Sequence, residues 1–412
     1  MTIVVTGGGS GGHITPILAV ARELKRLRPD VRIVYISHTG DGLDDVVAED
    51  PNIDEIQHVR AGKFRRYHGE GLRQLLDHET MILNIRDAFW ILVGMYQSLK
   101  LLRKLRPAII FTRGSYVSVP VALSGAVLGV PYVTHDSDAI PSLTNRLIAR
   151  WAAVHAVALD EELYPYPIDR TVTVGVPVDG NYRPVGDLLR ERYREELRLE
   201  GYDWVILVTG GGLGAQRLNE AVVENAPYLL NRYRGLAIVH LAGRANEQAT
   251  MDAYDQALGA DSEARRRVFV KGFVTGMHRY SGAANVVVAR GGATNLAELA
   301  MQAKPCIIVP NPLLTGGHQL KNTKALADRG AIVQLTEDQI QQERRLSSVV
   351  STLLDDPAQA RQLSQRIAAF ARPDSARQLA VILLQKARQQ PADGADAAAG
   401  RNKPGTTQGP GA

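Results

Sequence analysis

One short unit, present twice, does most to limit what this chain can become. Val5-Thr6-Gly7-Gly8-Gly9 recurs as Val208-Thr209-Gly210-Gly211-Gly212, an offset of 203 residues. Each copy follows an apolar, β-branched run and precedes a helical pattern. A strand that runs into glycines and then a helix is the first βα turn of a doubly wound domain. An offset close to one domain length makes the repeat read as two such domains in tandem. Further short runs, apolar on both faces as strands of a buried parallel sheet are, lie at Arg32–Ile36, Ala108–Thr112, Tyr132–Thr134, Ala237–Leu241, Val286–Ala289 and Cys306–Val309. Helix-like spacing, as in Pro16–Arg28 and Leu218–Tyr228, separates them. The fold class is therefore α/β, with two Rossmann-like parallel sheets.

The turn-rich stretch Val176–Asn181 marks the boundary between the two units. Beyond Pro391 nothing apolar larger than alanine occurs, which predicts a disordered tail. The single cysteine, Cys306, sits in an apolar run and reads as a small buried residue; it excludes a disulfide scaffold. No apolar run approaches the ~20 residues that span a bilayer, and no basic leader opens the chain, so a cytoplasmic protein is expected.

Charge is localised. From Arg60 to Arg106 there are ten Lys/Arg against four acids, a net +6 within a chain of +5. The cluster Lys63-Phe64-Arg65-Arg66-Tyr67 and the run Ala88–Tyr96 put cations beside apolar side chains, a pairing suited to an anionic membrane surface. For Phe89–Tyr96 a buried core helix fits equally well. No nucleic-acid-binding motif accompanies the charge.

Four polar, glycine-rich segments stand at strand ends. Gly7–His13 can bring backbone N–H groups and a helix N-terminus to a phosphate. It also satisfies G-x-G-x-x-G, but the second strand ends in Ser37-His38 with no ribose-binding acid, which argues against a nicotinamide enzyme. A tight turn without ligand is the other reading. Thr209–Gly214 repeats the motif. Arg290–Glu298 follows a strand, so Gly291–Thr294 forms another phosphate-facing turn, and Glu298 could accept both hydroxyls of a ribose. Thr315–Gln319 with Asn322 closes the series at a strand's carboxyl end.

Together with Tyr116-Val117-Ser118 and His135…Asn145, these segments resemble, in order and spacing, the MurG family of peripheral-membrane glycosyltransferases. The resemblance spans about Ile3 to Arg388. It implies a GT-B fold, two Rossmann-like domains facing a cleft: residues 1–176 on the acceptor and membrane side, joined by a C-terminal helix at about 373–390, and 177–372 binding the UDP-sugar, with 391–412 as the tail. It further implies transfer of N-acetylglucosamine from UDP-GlcNAc to a polyprenyl-diphosphate-linked sugar, lipid I to lipid II of peptidoglycan, at the inner membrane face. No cofactor or bound metal is implied. On the donor side it points to Gly212, Leu213, Gly214, Phe273 stacking on uracil, Val274, Arg290, Ala293, Thr294, Glu298 on the ribose, and His318 and Gln319 on the sugar. On the acceptor side it points to Gly9, Ser10, Gly11, Gly12, Tyr116, Val117, Ser118, Asp138 and Asn145. His13 or Asp136 is the expected general base of a single, inverting displacement.

The chain also departs from the family pattern. Gly-Gly-Ser-Gln-Gly-Ala-Arg becomes Gly210-Gly211-Gly212-Leu213-Gly214-Ala215-Gln216, Gly-Asn-Pro-Val-Arg becomes Gly175-Val176-Pro177-Val178-Asp179, and His-Glu-Gln-Asn becomes His135-Asp136-Ser137-Asp138. Two cationic phosphate partners are lost. Asp136-Ser137-Asp138 also reads as D-x-D, a metal-binding triplet of unrelated transferases. A different lipid or sugar acceptor, a UDP-GlcNAc 2-epimerase-like activity, and a nucleotide-sugar-binding protein without catalysis are the competing expectations.

Overall fold

The computed structural model describes residues 1–9, 11–62, 78–211, 214–314 and 317–389, with 78–85 as helical backbone only. Ser10, the Lys63–Tyr67 cluster, Gly212, Leu213, Thr315, Gly316 and the 391–412 tail fall outside these residues.

Among the described residues the chain builds two all-parallel sheets. The first runs β3-β2-β1-β4-β5-β6-β7, with β1 at Thr2–Thr6, β2 at Arg32–His38, β3 at Glu55–Val59, β4 at Ile109–Thr112, β5 at Tyr132–Asp136, β6 at Val154–Val157 and β7 at Thr171–Thr173. The second runs β10-β9-β8-β11-β12-β13, with β8 at Trp204–Thr209, β9 at Leu236–Leu241, β10 at Val268–Lys271, β11 at Val286–Ala289, β12 at Cys306–Ile308 and β13 at Val333–Gln334. The repeat seen in sequence falls on equivalent strands: Val5 and Thr6 end β1, Val208 and Thr209 end β8. In each sheet strand order reverses beside that strand, between β1 and β4 and between β8 and β11. Such a switch point opens a crevice at the carboxyl ends of the strands.

Central strands are buried on both faces, which is why their sequences do not alternate: Ile3, Val4, Val5, Ile109, Ile110 and Phe111 all have zero exposure. Cys306 is likewise buried in β12.

The helix Gly11–Leu27 buries Ile14, Ile17, Val20, Ala21 and Leu24 at helical spacing. The last helix, Ser375–Arg388, turns Ala376, Leu379, Ala380, Leu383 and Leu384 onto that first helix, joining the core of the first sheet. Each fully buried leucine there contributes about 1.5–3 kcal/mol. The chain thus leaves the first domain after Gly175 and returns through Arg372. Gly175 has φ +83°, and a Cβ on it would lie 2.7 Å from Arg372 Cβ, so the outgoing and returning segments touch.

The helix His78–Leu105 buries one face and exposes another. Gly94, Ser98 and Leu102 face inward, while Phe89, Leu92 and Tyr96 are 58%, 66% and 71% exposed. Arg86, Lys100, Arg103 and Lys104 on the same helix are exposed too. Val127, at the end of the adjoining helix Ser118–Val127, is also exposed.

Candidate active site

The two carboxyl-end crevices face each other across a cleft of about 410 Å³. The first domain lines it with Gly11, Gly12, His13, Arg113, Asp136, Ser137 and Asp138; the second with Gly210, Gly211, Phe273, Val274, Arg290, Ala293, Thr294, Glu298, His318 and Gln319. Residues up to about 300 positions apart in sequence are therefore neighbours here.

His13 lies in the first turn of its helix, and its Nδ1 is 3.2 Å from the carbonyl of Arg113. A carbonyl only accepts, so Nδ1 carries the proton and Nε2 keeps its lone pair. Removal from water, with the Arg113 charge nearby, holds the imidazole down to about 4, so it stays neutral at ordinary pH with its Nε2 lone pair free.

Asp136 ends β5 and is nearly fully buried. One oxygen accepts from Tyr166 Oη at 2.7 Å, the other from Ser142 N at 3.0 Å. Burial raises its pKa. Asp138 Oδ1 accepts from Asn322 Nδ2 at 2.7 Å, so the two carboxylates of the D-x-D triplet turn to different partners. Among the described residues no group of three or more His, Cys, Asp or Glu is placed to hold a metal.

Other acceptor-side candidates are not at the cleft wall. Asn145 is wholly buried and donates to His135 O at 3.0 Å; Val117 and Ser118 are wholly buried at the start of their helix. Tyr116 packs at the glycine loop, where a Cβ on Gly9 would meet its ring at 3.3 Å. The Gly9 amide, offered by the sequence to a phosphate, already donates to Asp41 Oδ2 at 2.8 Å.

On the donor side, the helix Ala293–Met301 starts at Gly292 with no side-chain cap, which leaves N–H groups of its first turn free for an anion. Thr294 Oγ1 donates across the cleft to Gly12 O at 3.2 Å. Glu298 sits one turn further on. Burial pushes its carboxyl up to about 8, against a hydrogen bond from Tyr182 that lowers it. Phe273 and Val274 line the wall, and the Arg244 guanidinium lies 4.7 Å from the Phe273 ring centre. Gln319 is fixed by Asn311 N–H on its Oε1 at 2.9 Å.

Arg290 behaves differently from its expectation as a donor ligand. Its Nη2 pairs with buried Glu337 at 2.7 Å and its Nη1 donates to Val309 O, so the head group is committed to the domain's interior. Gly214 has φ +76°, and a Cβ there would strike Ala242 O at 2.4 Å; it shapes the loop rather than lining the cleft.

Two site residues escaped the sequence reading. Tyr182, in the turn-rich linker, reaches Glu298, and no spacing announces it. Arg113 follows the wholly buried β4 at the switch point, and a lone cation directly after such a strand is a readable signal.

Residues 3–157 match the glycosyltransferase family 28 N-terminal domain, and residues 205–379 the glycosyltransferase family 28 C-terminal domain. A UDP-N-acetylglucosamine–N-acetylmuramyl-(pentapeptide) pyrophosphoryl-undecaprenol N-acetylglucosamine transferase of Desulfitobacterium hafniense is 29% identical over 388 residues, covering 94% of this chain and all of that one. The enzyme of the same name, numbered 1, from Bacillus cereus is 30% identical over 355 residues, covering 86% and 91%. Among solved structures, Acinetobacter baumannii MurG superposes with TM-score 0.63 at 21% identity, over 93% of this chain and 99% of that one. A Neisseria meningitidis UDP-GlcNAc 2-epimerase bound to UDP-GlcNAc superposes with TM-score 0.64 at 11% identity, over 93% and 100%, a likeness of fold alone. With two parallel-sheet domains facing one cleft and this relationship along nearly its whole length, the chain belongs to the MurG family of GT-B glycosyltransferases.

Proposed function

We propose that the protein transfers N-acetylglucosamine from UDP-GlcNAc to a polyprenyl-diphosphate-linked sugar, converting lipid I to lipid II in peptidoglycan synthesis. The observation that carries this reading is the juxtaposition of a neutral histidine on one domain with a glutamate and an uncapped helix N-terminus on the other.

In this reading Glu298 accepts the uridine ribose hydroxyls, Phe273 stacks on uracil, and Val274 meets the base edge. The free amides at Ala293–Asn295 hold the diphosphate, and His318 and Gln319 read the sugar. His13 Nε2 takes the proton of the acceptor hydroxyl as it attacks the anomeric carbon, and negative charge growing on the departing UDP meets the helix N-terminus. Asp136, with both oxygens engaged, serves to hold its loop rather than to accept that proton. The reaction inverts the anomeric centre and needs no cofactor.

Among the described residues no helix is long and apolar enough to cross a membrane. The exposed Phe89, Leu92 and Tyr96, flanked by exposed cations, support docking on an anionic membrane surface, where the lipid-linked acceptor resides.

Incubation with UDP-GlcNAc and lipid I tests the proposal. Formation of lipid II with release of UDP is expected. An epimerised sugar nucleotide, or UDP-GlcNAc binding without turnover, rejects it in favour of an epimerase or a binding protein.

A further inference from the structure

Arg113 stands at the junction of the two domains, and its surroundings are unusual for a buried cation. It is 4% exposed. Its Nη1 contacts His135 Nδ1 and lies 2.5 Å from Ser137 Oγ, and its Nη2 donates to Gly12 O at 2.8 Å. Its Nε is buried without a partner. Among the described residues no carboxylate lies within ion-pair distance of it. Asp136 is held by Tyr166 and Ser142, and Asp138 Oδ1 by Asn322. Asp138 and Asp136 act on it only from beyond contact distance, so part of the cost of burying its charge is left unmet and an anion arriving beside it is favoured.

Position tells which kind of anion. Gly12 O accepts from Arg113 on one side and from Thr294 Oγ1 on the other. A guanidinium of the first domain and an uncapped helix N-terminus of the second therefore converge on a single carbonyl. Donors from both walls around one small space suit an anion with several oxygens and more than one charge. The other arginine lining the cleft, Arg290, is bound to Glu337 and Val309 O.

We propose that Arg113 is the cation that grips a diphosphate in this cleft, taking over the charge that Gln216 and Asp179 do not supply. The proposal rests on the UDP-sugar reading above. The diphosphate has two possible sources, the UDP of the donor and the lipid diphosphate of the acceptor.

Binding of UDP, uridine and farnesyl diphosphate to the full chain and to Arg113→Met and Arg113→Lys separates these cases. The backbone carbonyl that orients His13 is unchanged in both variants. Arg113→Met is expected to weaken a diphosphate ligand at least about tenfold, the loss of a charge-assisted pair, and to leave uridine unaffected. Arg113→Lys recovers part of that loss and serves alone if the methionine variant does not fold. A loss confined to UDP names the donor, one confined to farnesyl diphosphate the acceptor. Unchanged binding of both, or an equal loss for uridine and UDP, overturns the proposal. Wild-type protein that binds no UDP overturns the donor reading instead, and the farnesyl diphosphate arm then judges Arg113 by itself.

Discussion

Asn322 and Asp138 are joined across the cleft: Asn322 Nδ2 donates to Asp138 Oδ1 at 2.7 Å, while its Oδ1 accepts from Ala139 N at 2.9 Å. The same Nδ2 lies 3.3 Å from Gly291 O, in the turn that opens the Ala293–Met301 helix. One carboxamide thus ties the acceptor-side loop to the segment expected to hold the donor. Hydrogen bonds to a carboxylate contribute about 1.5–3 kcal/mol. Asn322→Ala and Asp138→Ala are each expected to lower kcat/KM about tenfold or more. The double variant should fall little further, since residues in direct contact couple by about 0.5–3 kcal/mol. Strictly multiplicative losses would show that the contact does not link the two domains' work.

His13→Ala should reduce kcat about 10²- to 10⁴-fold, the range for loss of a positioned general base. The pH profile gives a second check. With its pKa held down to about 4, the wild-type imidazole is already neutral at pH 6, so the acid limb of kcat should begin only near pH 4–5. A limb centred at 6.5, the ordinary histidine value, would contradict the buried environment described.

Glu298 is raised to about 8, so at pH 7 the empty site holds it mostly protonated. Two ribose hydroxyls donating to both oxygens favour the ionised carboxylate, which is acceptor-only. Binding of UDP at pH 7 should therefore release a proton, and affinity should rise with pH until about 8 and then level. Calorimetry at pH 7 in phosphate and in Tris measures the release directly. Glu298→Gln should abolish the buffer dependence and weaken UDP about ten- to a hundredfold.

The fold was readable from the sequence for a physical reason. Strands buried on both faces must be continuous in apolar character, and glycines at their ends must be glycines, so Ile3–Thr6 and Val205–Thr209 declare themselves. The places of Glu298 and His13 on the cleft were readable because each stands at a short fixed offset from a strand end. Arg290 read as a ligand, yet its head group turns inward to Glu337, a partner 47 residues later that no local pattern reveals. Tyr182 and Asp41 act on the site through tertiary contact alone, and their neighbours in sequence carry no trace of it.

The Arg290–Glu337 pair is 8% and 4% exposed at the side chains, and Glu337 also holds Arg217 at 2.8 Å. Removing one member strands the other's charge. Glu337→Ala is expected to cost about 3–5 kcal/mol, read as a lowered midpoint of thermal or urea unfolding. Arg290→Met with Glu337→Leu should recover much of that stability. A mild effect of Glu337→Ala on unfolding, with a large one on UDP affinity, would return Arg290 to the donor site.

Phe89, Leu92 and Tyr96 contribute little to the interior, so replacing all three with serine should leave stability nearly unchanged. Binding to anionic vesicles should drop at least about a hundredfold, given about 1.5–3 kcal/mol for each side chain buried in the headgroup region. Co-sedimentation at low salt reads this out. Equal binding of variant and wild type would move the membrane contact elsewhere on the molecule.

The contact of Gly175 with Arg372 has a mechanical consequence. The polypeptide passes between the domains twice, and the two passages lie side by side. A single tether would let one domain swivel freely about it. Two adjacent ones restrict relative motion to opening and shutting about the line that joins them, with twist resisted by the other strand. His13 and the Ala293–Met301 helix, on opposite walls of the cleft, are thereby limited to relative movement about that one line.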